Sequence, residues 1–291
     1  MADADPAGTA TSDVSAARAR VQHRLDDLVA GHRFEIAVVF PAVGAVLLLA
    51  SAWGWLPEPL AFHPYLVLSG VLVMRLPLVA GLLPLVDRRA AIALVALVGY
   101  AYGIELVGVA TGWPYGEFAY LVDLGPMLAG SVPLGLPVFF LPLVVNSYLL
   151  VILLFGRHTR RAVVRLPVVA AVVLWMDVVL DPGAVALGFW AYDAGGVYYG
   201  VPASNYVGWV LSAAVSVAVL DWGFDRVALH QRLTQCPFLL DDLVSFVILW
   251  GAVNLAFLQF VPAVAAAVLG VALLETDRFD FSVLRWNPAR R

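Results

Sequence analysis

The stretch LPLVVNSYLLVILLFGRHTRRAVVRLPVVAAVVLWMDVVLDPG, residues 141–183, decides the fold. Two apolar runs flank a short link that holds Arg157, Arg160, Arg161 and Arg165. Crossing the hydrocarbon core of a bilayer takes about 20 mostly apolar residues of helix, and the runs, taken to their natural breaks at 132–155 and 163–181, supply that length. The alternation of span, basic link and span reads as a polytopic membrane protein. Composition points the same way, since 62% of the 291 residues are hydrophobic and only 13% are charged, against about a quarter charged in soluble domains.

Working outward with the same criteria gives eight transmembrane helices, at 36–53, 64–86, 90–111, 132–155, 163–181, 206–220, 243–260 and 261–274. The last two are short and only Pro262 divides them. The expected fold is an all-α helical membrane bundle over residues 35–275. A tail at 1–34 precedes it and a second at 276–291 follows. Within the first tail, Val14, Ala17, Val21, Leu25 and Leu28 fall on one helical face, which predicts an amphipathic helix on the membrane surface; residues before 12 read as disordered. An A-x-A-like site at 50–52 raises signal-peptide cleavage, but the leader before the apolar run is too long for one.

Arginine placement gives the orientation, because cytoplasmic connections collect basic residues. Arg18, Arg20, Arg24 and Arg33 precede the first span, Arg88 and Arg89 follow the second, and the four arginines of the opening stretch follow the fourth. Arg226 and Arg232 follow the sixth span; Arg278, Arg285, Arg290 and Arg291 follow the eighth. The odd connections hold none, so both termini are expected in the cytoplasm and the protein in the cell membrane. Arg75, inside the second span, is the exception.

Several chemistries are excluded or disfavoured. All 17 basic residues are arginine, so no lysine exists for a Schiff base or a P-loop. Cys236 is the lone cysteine and the five histidines are scattered, which leaves no metal-ligand spacing. No metal and no cofactor are expected, and the acidic balance offers no surface for nucleic acid.

The unusual polar residues collect toward the outer side. Glu105 lies six residues before the end of its span, and Asp177 and Asp181 share a face at the end of theirs. An arginine in mid-membrane costs about 2.5–3.5 kcal/mol on insertion scales, so Arg75 is expected to pair with one of these acids. An acid left unpaired in apolar surroundings can keep a proton and serve as a general acid. Asp181 precedes Pro182, so the helix is expected to end there, with Asp181 either a turn residue near water or a participant. Asn146 sits mid-span, in a helix that Pro133, Pro137 and Pro142 interrupt. Two long outer connections, 112–131 and 182–205, add Trp113, Tyr115, Glu117, Phe118 and Tyr120, and Phe189, Trp190, Tyr192, Tyr198 and Tyr199, beside the acids; loops this long usually carry function, and aromatic faces stabilise cations.

Three function classes follow. One is an enzyme that protonates an alkene and lets water capture the cation. Another is a UbiA-like intramembrane prenyltransferase, because DVVLD (177–181) and DWGFD (221–225) share a D-x-x-x-D spacing, although the two fall on opposite sides of the membrane. The third is a proton-coupled transporter built on the buried acids and Arg75, for which no internal repeat is seen.

The stretches GWPYGEFAY, LPVFFLPLVVNSYLL and DVVLDPGAVALGFWAYDAGGVYYGVPASNYVGW resemble the carotenoid-biosynthesis membrane proteins of the CruF kind, in their archaeal branch. The resemblance covers roughly residues 36–274 and is most specific over 177–209. It implies hydration of the terminal C=C bonds of a long acyclic carotenoid to tertiary alcohols: bisanhydrobacterioruberin, through the monoanhydro form, to bacterioruberin. The partners expected are that carotenoid, within the bilayer, and other carotenoid-biosynthesis membrane enzymes. Residue roles are read from this sequence itself. Asp177 is expected to protonate the alkene, with Glu105 its nearest competitor; Arg75 pairs with whichever acid stays ionised. Asp181, Glu117 or Asn146 positions the water. Trp113, Tyr115, Trp190, Tyr198, Tyr199 and Trp209 line the end-group pocket. Asn205 fixes the loop-to-helix junction or serves as a helix N-cap.

Overall fold

The computed structural model describes the backbone of residues 6–274 and the side chains of residues 17–274. Its centre is the helix α6 (Leu136–Phe155), whose residues from Leu143 to Ile152 are all buried. A helix apolar all round is either a membrane span facing lipid or a helix enclosed by its neighbours, and burial on every side makes α6 the enclosed one. Here α5 (Arg88–Thr111), α7 (Ala162–Leu187), α8 (Ala203–Gly223), α9 (Arg226–Gln235) and α10 (Asp241–Ala256) pack against it. The outer layer comprises α1 (Pro6–Gly31), α2 (Phe40–Ala52), α3 (Pro64–Met74), α4 (Leu76–Leu82) and α11 (Phe260–Leu274). Exposed apolar residues such as Val95, Val163, Val207 and Val264 form the surface a bilayer requires.

Among the described residues, five helical stretches are long and apolar enough to cross a membrane, or six when α3 and α4, bent by 45° at their junction, count as one. The break falls at Arg75, with Pro77 two residues on unable to donate to the carbonyl of Val73. All eight expected apolar segments contain helix, but α10 and α11 have only 16 and 15 residues, short of the ~20 a span takes.

Three boundaries differ from expectation. The first tail is helical from Pro6 onward, so part of the stretch expected to be disordered is helix; residues 1–5 and the tail at 276–291 lie outside the described residues. The short helix α9 is an addition to the expected elements; Leu229 and Leu233 bury it against the bundle. Finally, α7 does not end at Asp181 but continues through Pro182 to Leu187, capped by Gly188 in the left-handed conformation (φ 77°). A proline inside a helix strands the carbonyl four residues earlier, and in an apolar interior that group needs another donor. Tyr198 Oη donates to the Val178 carbonyl at 3.2 Å, and Asn254 Nδ2 of α10 donates to the neighbouring Val179 carbonyl at 2.8 Å. The same solution recurs in α6, where Pro142 strands the Val138 carbonyl and Arg75 Nε donates to it at 3.2 Å.

The two long connections are also more ordered than their composition suggests. Phe118–Tyr120 (β1) pairs antiparallel with Trp190–Tyr192 (β4), with Phe118 opposite Tyr192 and Tyr120 opposite Trp190. A short hairpin joins Met127–Leu128 (β2) to Val132–Pro133 (β3). Successive strand residues point to opposite faces, so Phe118, Tyr120, Trp190 and Tyr192 share one face and Ala119 and Ala191 the other. The aromatic face is turned toward the bundle, and all four rings border the cavity described next.

Candidate functional site

Under this two-stranded cap lies a cavity of about 160 Å³. Asp181 from α7, Asn205 from α8, Glu105 from α5 and the exposed Asp123 are its polar lining; its apolar walls come from α3, α6, Trp209 and Trp250.

The packing of α7 on α8 brings three polar side chains together. Asn205 Nδ2 donates to Asp181 Oδ2 at 2.6 Å and to Asp177 Oδ2 at 2.9 Å. Tyr192 Oη of β4 donates to the same Asp181 oxygen at 2.8 Å. Asp177 is fully buried, with Oδ1 unpartnered, and it stands one turn behind the cavity wall rather than in it. Across the cavity, Tyr120 Oη of β1 donates to Glu105. Each strand of the cap therefore delivers one tyrosine hydroxyl to one acid of the cavity. Burial, reinforced by the neighbouring acids, pushes the Tyr120 and Tyr192 phenols well above their ordinary value, so both remain donors at neutral pH.

The ion pairs among the described residues lie elsewhere. Arg33 grips Asp241 in two hydrogen bonds, of 2.6 and 2.8 Å. Arg75 pairs with Asp242, which also accepts from Asn146 Nδ2 at 2.5 Å. Arg165 pairs with Asp221, and Arg232 with Asp26. Among the described residues, no cation forms an ion pair with Asp177, Asp181 or Glu105.

This arrangement redistributes the expected site. Asp181, Glu105, Tyr115, Trp190, Asn205 and Trp209 line the cavity. Arg75 does not pair with Glu105, Asp177 or Asp181; its partner is Asp242 at the start of α10, and Asn146 goes with it. Glu117 contributes only a main-chain carbonyl, to the amide of Asp193. Trp113 is 59% exposed. Tyr198 is used on the Val178 carbonyl, and Tyr199 Oη accepts from the Val261 amide at 3.4 Å. Asp181 is a buried wall residue rather than a turn residue near water, because the helix continues past it. Asn205 is the third residue of α8, whose N-cap is Pro202, so its amide serves the two acids and not the helix end. The two D-x-x-x-D pairs stand at opposite ends of the bundle: Asn205 and Asp221 are separated along α8 by about 24 Å at the helical rise.

Beyond the residues to which the sequence assigns a role, the site includes Tyr120, Tyr192 and Phe118 of the loop aromatics, together with Phe140 and Trp250. A signal for the first three existed: FAY and WAY are aromatic-alanine-aromatic triplets with the period of a strand. The inner wall is an aromatic stack, with Phe140 and Trp209 5.5 Å apart and 20° from parallel, and Tyr115 tilted against Trp209 at 6.0 Å. Tyr115 is held there by Ser212 Oγ at 2.7 Å, itself 3.0 Å from Tyr100 Oη. Its ring lies against Gly208, where an added Cβ would overlap it. Gly208→Val is therefore expected to expel Tyr115 from the wall, lowering stability by about 1–3 kcal/mol and broadening the cavity; thermal unfolding in detergent and the range of substrates turned over measure the two effects.

The protein's similarities bear on what this cavity receives. Residues 62–273 match a family described as carotenoid biosynthesis protein. Over 260 residues, 89% of this chain and 88% of the relative, the sequence is 64% identical to a protein of Haloarcula japonica named bisanhydrobacterioruberin hydratase. No solved structure matches.

Proposed function

The chain belongs to the carotenoid biosynthesis protein family, and on that basis we propose that it is a membrane-embedded hydratase that adds water across the terminal C=C bonds of an acyclic carotenoid. The substrate proposed is bisanhydrobacterioruberin, the compound after which its Haloarcula relative is named, converted stepwise through the monoanhydro form to bacterioruberin.

The observation that carries the chemistry is the Asp177–Asn205–Asp181 constellation opening into an aromatic cavity. Two carboxylates joined by one amide and lacking a cation are poorly placed to be charged together, so the pair holds a proton. Asp181, the member that lines the cavity, delivers it to the alkene carbon bearing more hydrogen. The positive charge then develops on the tertiary carbon, where the faces of Trp209, Phe140, Tyr115 and Trp190 stabilise it. Water adds to that carbon and its extra proton returns to the carboxylate pair, leaving a tertiary alcohol and a regenerated acid. Glu105, held by Tyr120, orients the water. This sequence of steps asks for no cofactor.

Size supports the reading as well. A cavity of about 150 Å³ takes a group the size of benzene, so only the end of a long polyene enters and the remainder lies against the bundle or in lipid. Each end then reacts in a separate visit.

The finer topology completes the proposal: eight membrane segments, both termini in the cytoplasm, and the acid cavity in the outer half. Labelling of single cysteines introduced at residues 88 and 117 tests it, with 88 expected to react only from inside and 117 only from outside.

Membranes holding the candidate carotenoid, analysed for product by chromatography and mass, test the reaction; gain of one water per end is expected, and absence of any water gain overturns the reading. In the same assay Tyr192→Phe is expected to lower the rate by about ten- to a hundredfold, the worth of a hydrogen bond to an ionising group. A loss below twofold would remove Tyr192 from the mechanism.

A further inference from the structure

At the opposite end of the bundle from the acids lies a second and larger cavity, of about 850 Å³. It sits where the start of α5, the end of α6, the start of α7, the end of α8 and the start of α9 meet. The distance is set by the helices: Arg89 and Glu105 on α5, Arg165 and Asp181 on α7, and Asp221 and Asn205 on α8 are each separated by about 24 Å at the helical rise. The two cavities thus face opposite leaflets.

Five arginines line the cleft, namely Arg89, Arg157, Arg160, Arg165 and Arg226, together with His230. Three acids accompany them, and each is already engaged. Asp87 caps α5 by accepting from the Ala90 amide, and Asp225 caps α9 by accepting from the Val227 amide. Asp221 accepts from Arg165 and from Tyr148, with Arg226 3.6 Å away. Arg157 and Arg160 have no ion pair among the described residues. Arg165 is the built part of the site. It is 1% exposed and anchored to the Thr159 and Arg160 carbonyls at 2.7 and 3.0 Å, yet its Nε has no partner. A buried guanidinium N–H is costly to leave unsatisfied. Its Nη1 is filled by those carbonyls and its Nη2 is engaged by Asp221, so Nε is the donor Arg165 has to offer, and beside the two free guanidinium groups of Arg157 and Arg160 it matches the oxygens of a phosphate group.

We infer that this cleft is a binding site for a phosphate-bearing anion, with Arg165 as its fixed donor and Arg157 and Arg160 closing on the ligand from the rim. The source of the phosphate is either the headgroup of an anionic lipid in the adjoining leaflet or a free phosphate from solution. The site is independent of the hydration chemistry.

The test uses the full-length protein in detergent, titrated with inorganic phosphate, and in nanodiscs of phosphatidylglycerol or of a neutral, phosphate-free galactolipid; native mass spectrometry reads the bound ligand. Arg157→Gln/Arg160→Gln is compared with Arg88→Gln, which removes a nearby positive charge that does not line the cleft. The double variant spares Arg165, so folding does not depend on it. Phosphate-bearing ligand is expected to be retained by the wild type and weakened by about tenfold or more in the double variant, with Arg88→Gln changing it by less than about twofold. Retained phosphatidylglycerol that inorganic phosphate displaces identifies the lipid as the source; binding of inorganic phosphate alone identifies the free anion. Retention of neither, equal retention of the galactolipid, or equal weakening by Arg88→Gln overturns the site.

Discussion

Asp181→Asn is expected to reduce carotenoid hydration by about 10²–10⁴-fold, the range for loss of a positioned general acid, while the protein still folds. The substitution keeps the shape of the side chain. The amide oxygen can still accept from Asn205 and Tyr192, which meet the carboxylate at 2.6 and 2.8 Å, so the cavity wall survives and only the transferable proton is lost. Asp177→Asn is expected to cost less, about tenfold, because Asp177 stands behind the wall and acts on Asp181 through the shared amide. Glu105→Gln is expected to fall between the two. The assay is pigment analysis of membranes supplied with the anhydro carotenoid, normalised to folded protein. A rate for Asp181→Asn above a tenth of the wild-type rate sinks the assignment. Full activity in Asp177→Asn combined with none in Glu105→Gln would move the acid role across the cavity.

A large effect on stability is expected from Asp242→Ala. Its carboxylate is buried and accepts from both Arg75 and Asn146, and the Arg75 side chain is only 15% exposed. Removing one partner of a buried ion pair leaves the other charge without compensation, a loss of about 3–5 kcal/mol. Replacing both, as Arg75→Met/Asp242→Leu, is expected to recover most of it, since an apolar pair avoids the desolvation that the charges undergo. The second partner of Arg75, the Val138 carbonyl freed by Pro142, limits the recovery to less than complete. Unfolding transitions of Arg75→Met, Asp242→Leu and the double variant, read as a double-mutant cycle, give the coupling. A loss below about 1 kcal/mol for Asp242→Ala would show the pair to be solvated. The double variant also separates two roles for Arg75: hydration by the folded double variant excludes it from the chemistry.

The acids behind these two predictions differ in how far they can be read along the chain. Asp177 and Asp181 stand out because charges inside an apolar run are rare and expensive, and the spacing of four places them on one face. Asp242 is equally conspicuous as half of an Asp-Asp pair opening an apolar run, but nothing local distinguishes a cap-like acid at a helix start from a buried partner of an arginine 167 positions away. Pro182 points to a helix end because the residue before a proline is steered away from helical backbone; Tyr198 of the long connection after α7 and Asn254 of α10 supply the donors that let α7 continue.

The order of residues along the chain was enough to read the class of the protein, the positions of its apolar segments, the resemblance to carotenoid-biosynthesis proteins and several of the polar residues that line the cavity. Hydropathy and residue spacing are properties of one segment at a time, and lipid acts on each segment separately. Which polar groups meet became legible only once the helices were packed. Packing put Asn205 between the two acids, Tyr120 and Tyr192 on the cap above the cavity, Asp242 on Arg75, and the arginines of the cleft together at the far end. The physical reason is that a hydrogen bond or an ion pair is won by distance and angle, and those are fixed by how the helices pack against α6, which no single stretch of the chain encodes.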